Sequence, residues 1–115
     1  MKKIFLLVLI SLISPVYAQS SFDTWVSDVT ANNGHVTYSA NVYMPTQNDT
    51  LYIKNRRDYI CAQQKEAILW GEITSMNTGR KYDYSILMDQ SKLRKYVPIT
   101  NVDYDRIRQI IQYCQ

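Results

Sequence analysis

The chain has 115 residues, with 13 basic and 10 acidic side chains, ten tyrosines and two cysteines. Met1-Lys2-Lys3, the apolar run from Ile4 to Ile13 and the small-residue end Val16-Tyr17-Ala18 have the charged start, hydrophobic core and cleavage site of a secretory signal peptide. Cleavage there leaves residues 19–115 with 11 basic against 10 acidic groups, the basic ones in separated pairs (Arg56-Arg57, Arg80-Lys81, Arg94-Lys95), which argues against the concentrated basic stripe of a nucleic-acid binder; the apolar run is about half the roughly 20 residues a membrane-spanning helix needs.

The expected organisation is therefore a signal peptide over 1–18 and a single exported, secreted domain over 19–115 that does not span a membrane. Thr24 to Ala31 is rich in β-branched and aromatic residues and reads as a first strand. Asn32-Asn33-Gly34 is a hairpin signal. Val36, Tyr38, Ala40, Val42 and Met44 then alternate with more polar neighbours, the period of a strand with one buried face. Pro45 to Asp49 interrupts the pattern, and Thr50 to Cys61 resumes it as a third strand.

From Gln63 the spacing changes. Leu69, Ile73 and Met76 recur at helical intervals with Lys65, Glu66 and Glu72 elsewhere on the wheel, which predicts an amphipathic helix ending at Asn77-Thr78-Gly79. Gly79 suits the left-handed position after a helix. Tyr82, Tyr84, Ile86 and Met88 alternate again and predict a fourth strand, and Lys95 to Ile99 a short further one. Residues 103–114 fit either a helix opened by Asp103 or a closing strand; the strand is preferred because it would complete a curled sheet. The order β-β-β-α-β-β defines the expected class, α+β and mainly β: a small barrel of the oligonucleotide/oligosaccharide-binding (OB) kind, with one amphipathic helix between strands 3 and 4.

Cys61 and Cys114 are the only cysteines, and an exported chain in an oxidising compartment is expected to join them. The chain has no glycine-rich phosphate loop, no Gly-x-Ser-x-Gly elbow and a single histidine, His35, so no enzymatic activity, cofactor or metal is expected. Asp103-x-Asp105 lacks the glycine and closing Glu of a calcium loop and reads as solvated charge or a helix cap.

The order of elements, the helix stop at Asn77-Thr78-Gly79, the strand Tyr82-Asp83-Tyr84-Ser85-Ile86-Leu87-Met88 and the closing Ile110-Ile111-Gln112-Tyr113-Cys114 together resemble the B subunits of bacterial toxins built from one A and five B chains, of the pertussis, typhoid and subtilase type. The resemblance implies a homopentameric ring whose helices line a pore, here through Lys65, Glu72 and Ser75. It also implies binding of host, possibly sialylated, cell-surface glycans, and delivery of a catalytic A chain. A serine near the first strand holds sialic acid in that family, and Ser21 is the nearest match. This chain departs from the pattern in lacking a cysteine in Tyr38-Ser39-Ala40, where relatives staple the second strand to the third. Sugars offer hydroxyls to polar side chains, so Ser21, Asp23 and Thr24 are the candidate glycan contacts, with Arg57 for a carboxylate because its planar fork matches that group. The alternative function is a periplasmic immunity or inhibitor protein that blocks a cell-wall-degrading enzyme by inserting Pro45–Asp49 or Arg56-Arg57-Asp58 into its active site.

Overall fold

Residues 23–115 are described in a computed structural model; the expected signal peptide and Ser21 lie outside the described residues. Three long strands form first: β1 (Asp23–Asn32), β2 (His35–Pro45) and β3 (Thr50–Ile60). They follow one another as an antiparallel meander, as their alternation predicts. Asn33 and Gly34 both have positive φ (51° and 82°), the geometry of the tight hairpin turn whose twist matches its strands.

The predicted helix over 63–76 is instead a fourth long strand, β4 (Lys65–Ser75), antiparallel to β3. The reason lies in the register. Arg56 pairs with Trp70 and Arg57 with Ile68, so Leu69 is an extra residue without a partner, a β-bulge. Glu66 and Ile68 face the core before the bulge, and Gly71, Ile73 and Ser75 share that face after it, opposite Tyr59, Arg57, Asn55, Ile53 and Leu51. One inserted residue turns an even parity into an odd one, and apolar positions 69, 73 and 76 then mimic a helical repeat. Gly79 does have a positive φ of 77°, but it closes the turn after a strand.

Beyond that turn the chain is mostly irregular. β5 is only Lys81–Asp83 and β6 only Val97–Pro98, and both pair with β4. Tyr84–Ile86, predicted to extend the strand, is a 3-10 turn capped by Asp83, whose carboxylate accepts from the Ser85 N–H. Residues 103–114 form helix α1 (Tyr104–Ile110) and a 3-10 turn (Ile111–Cys114), which corrects the preferred closing strand. Asp103 accepts from the Thr100 N–H at 2.7 Å, which caps the short 3-10 turn Asn101–Asp103 that precedes α1 and not α1 itself. The chain is thus mainly β, an antiparallel sheet with its α-helix near the C-terminus rather than between strands 3 and 4.

One face of the sheet carries the core, in two apolar clusters. Ile107 and Ile110 of α1 pack on Val36, Tyr38 and Tyr59, with Val26, Val29 and Cys61 around them. Ile53, Ile73 and Tyr84 form the second, with Val42, Ile68, Met88 and Leu93 against it. Complete burial of an aliphatic side chain such as Ile110 stabilises by about 1.5–3 kcal/mol. Gly71 is required where the clusters meet β4, since a Cβ there would lie 2.6 Å from the Tyr84 ring. Cys61, in the β3–β4 turn, is bonded to Cys114 with a Cα–Cα distance of 5.8 Å, so the bridge fastens α1 and its terminal turn to the sheet.

Candidate functional site

Between the two apolar clusters the core face is polar. Arg57 of β3 and Arg106 of α1, each about one-fifth exposed, converge on the buried Glu66 of β4. Arg57 Nη1 donates to Glu66 Oε1 at 2.9 Å and Arg106 Nη2 donates to the same oxygen at 2.6 Å. Glu66 Oε2 accepts from the Tyr38 hydroxyl, which itself accepts from Arg106 Nε at 2.8 Å. Asp103 Oδ1 accepts from Arg106 Nη2 at 2.9 Å, and Asn55 Oδ1 accepts from Arg57 Nε at 2.5 Å. Burial, then the Glu66 charge, pushes the Tyr38 hydroxyl far above the ordinary tyrosine value, so it stays a donor. Two guanidinium groups and two carboxylates balance, and a buried charge set of this kind is stable only when its members hold one another.

A hollow of about 380 Å³ opens beside this network, between β1–β3 and α1. Thr24, Asn55, Arg57, Arg106 and Gln109 border it together with Val26, Val42 and Val102. Of the glycan contacts expected from the sequence, Thr24 and Arg57 border this one hollow although 33 positions separate them. Asp23 does not join them. It is paired across from Tyr43, and successive side chains on a strand point to opposite faces. Arg57 is likewise turned away from Asp58, the neighbour that would otherwise take its charge. Arg56-Arg57-Asp58 lies within β3 rather than in a loop that could insert into another protein. Glu66, Arg106 and Gln109 escaped the sequence reading, because Glu66 was assigned to a polar helix face and 103–114 to a strand.

The opposite face of the sheet is uncovered by any described element except at its corner. Trp25, Tyr43 and Tyr52 form an aromatic cluster with Trp25 stacked on Tyr52 at a ring separation of 5.9 Å and 11° between planes. Asn41, buried beneath it, accepts from the Tyr52 hydroxyl at 2.7 Å and donates to Ser27 Oγ at 3.0 Å, which fixes the rings from below. Trp70, on β4, is 41% exposed. At the corner, Asp58 accepts from Tyr96 and pairs with His35 Nδ1, both at 2.6 Å, and accepts from Thr37 at 2.9 Å. Burial works against the Asp58 charge, but bonds from Tyr96, His35 and Thr37 hold its carboxyl below the ordinary value. The same bond to Asp58 pushes the Tyr96 hydroxyl up to about 12.

Among the described residues no three His, Cys, Asp or Glu side chains stand where they could hold a metal ion, and no helix is long and apolar enough to cross a membrane, which says nothing of β-barrel proteins. No family model, curated protein or solved structure matches the chain. Of the elements that carried the toxin resemblance, the helix before Gly79 is a strand, the strand over 82–88 is extended only at Tyr82–Asp83, and 110–114 is helical.

Proposed function

We propose that the chain is an exported, non-enzymatic binding domain that takes a cell-surface oligosaccharide in the hollow beside Arg57. The observation that supports this is the meeting of Thr24 and Arg57 with Asn55, Gln109, Val26 and Val42 around one small opening. Polar side chains there can pair sugar hydroxyls, the apolar ones can take C–H faces, and the Arg57 fork can take the carboxylate of an acidic sugar. In its fullest form the reading is a toxin B subunit that assembles as a ring of five and carries a catalytic A chain. Such a ring would close through the outer edge of β1, which no other described strand pairs, without the helix-lined pore of the toxins, and five weak sites would then act together. On a glycan array the mature chain is expected to bind, with Arg57→Lys and Thr24→Ala each weakening binding by about ten-fold. Light scattering is expected to give five times the mass of the mature chain; a monomer at micromolar concentration removes the ring.

The inhibitor reading is favoured by a different observation, the open face bearing Trp25, Tyr43, Tyr52 and Trp70 on rigid strands. Trp, Tyr and Arg dominate the energetic centres of protein interfaces, since they bury large areas with little loss of side-chain freedom. A blank array together with inhibition of a peptidoglycan hydrolase that Trp25→Ala abolishes would decide for it.

A further inference from the structure

A second hollow, of about 450 Å³, lies on the other side of Arg57, under the irregular segment 88–99. Its apolar wall is Ile68, Met88, Val97 and Ile99, and its charged rim is Arg57, Lys92 and Lys95. Two carboxylates also border it, but both are engaged by the protein. Glu66 is held by Arg57, Arg106 and Tyr38, and Asp103 by Arg106 and by the Thr100 N–H and hydroxyl. Lys92 feels the Asp89 charge across its own turn, yet among the described residues no carboxylate comes within ion-pair distance of Lys92 or Lys95. Three cations, Arg57, Lys92 and Lys95, therefore border the hollow beside two anions that the protein itself engages, and among the described residues neither lysine has an ion-pair partner. Beside them stands unburied apolar surface, Val97 being 58% exposed.

We propose that this hollow binds a small amphipathic anion, an organic carboxylate with an apolar body. The apolar wall gains by being covered, the lysines supply the missing counter-charge for the head group, and the volume is that of a small-molecule site rather than of a macromolecular surface. The site shares Arg57 with the sugar hollow but none of its other bordering residues, and its occupancy does not depend on that reading.

The test uses residues 19–115 with the disulfide intact and methyl-labelled methionine. Octanoate is expected to shift the Met88 methyl resonance while that of Met76, exposed in the turn after β4, stays in place. Lys92→Glu combined with Lys95→Glu should weaken octanoate by about ten-fold and leave 1-octanol within about two-fold. Both lysines are exposed, so the fold is not at stake; Val97→Asp should weaken both probes. An unmoved Met88 methyl, or equal binding of octanoate and octanol untouched by charge reversal, overturns the proposal.

Discussion

At the scale of the residue, Glu66 decides more than any other side chain. Its carboxylate is 5% exposed and holds three donors from three different elements. Glu66→Gln leaves two part-buried guanidinium groups with Asp103 alone, and removing one partner from such a set destabilises by about 3–5 kcal/mol; urea denaturation should show that loss as a lower midpoint with an unchanged slope. The titrating groups set the acid and alkaline limits. Asp58 and Asp103 have carboxyl values lowered by their hydrogen bonds against the opposing effect of burial. Their contribution is therefore full above the unfolded value of about 4 and fades as pH falls through the folded values. Tyr38 and Tyr96 are raised, so their contribution is full below about pH 10 and is lost as pH rises through the folded values. Melting temperature should accordingly be flat with respect to these four groups between pH 5 and about 9 and fall on both sides; a fall beginning at pH 6 would contradict the assignment.

At the scale of the element, β4 shows how a single bulge hides a strand. The pattern of Ala67, Leu69, Ile73 and Met76 has no uninterrupted period of two, and the residues that face the core include a glutamate, a glycine and a serine. Only pairing with β3 makes that run a strand. Gly71 is part of the same arrangement, because the Tyr84 ring lies directly over it. Gly71→Ala should displace Tyr84 and cost about 1–3 kcal/mol as an overpacked core position does, whereas Gly34→Ala, with open space around it, should cost only the strain of a positive φ. Chemical denaturation of the two variants separates the mechanisms, since Tyr84→Phe restores nothing and a smaller residue at 84 relieves Gly71→Ala alone. The terminal helix was legible as one of two alternatives, with Tyr104, Ile107 and Ile111 at helical spacing; Ile107 and Ile110 are the residues that reach the sheet.

At the scale of the whole molecule, a single sheet covered on one face by a short helix and irregular turns has little redundancy. The bond between Cys61 and Cys114 closes a loop with a sequence separation of 53, worth about 4 kcal/mol in the loop-entropy account. It also fixes the helix end against Tyr59 and Val36, so reduction should loosen α1 before the four long strands of the sheet. Scanning calorimetry with and without reductant is expected to show a melting temperature lower by at least about 15 °C, and amide exchange should accelerate first in 104–114. Equal protection of α1 and β3 after reduction would assign the bridge no role in docking the helix.

The sequence by itself determined the three N-terminal strands with their hairpin turn, and the pairing of the only two cysteines. Each depends on local chemistry: an alternation of period two, a turn that needs positive φ, or a count of thiols. Thr24 and Arg57 could be nominated from side-chain chemistry, but only the fold brings them to a common hollow, because β1 and β3 are both paired with β2. The fourth strand, the helical C-terminus, the Glu66 network and the cationic hollow under 88–99 were decided by tertiary structure. A bulge's parity, a short helix's docking and a buried carboxylate's partners are all set by residues distant in the chain, and no local period records them.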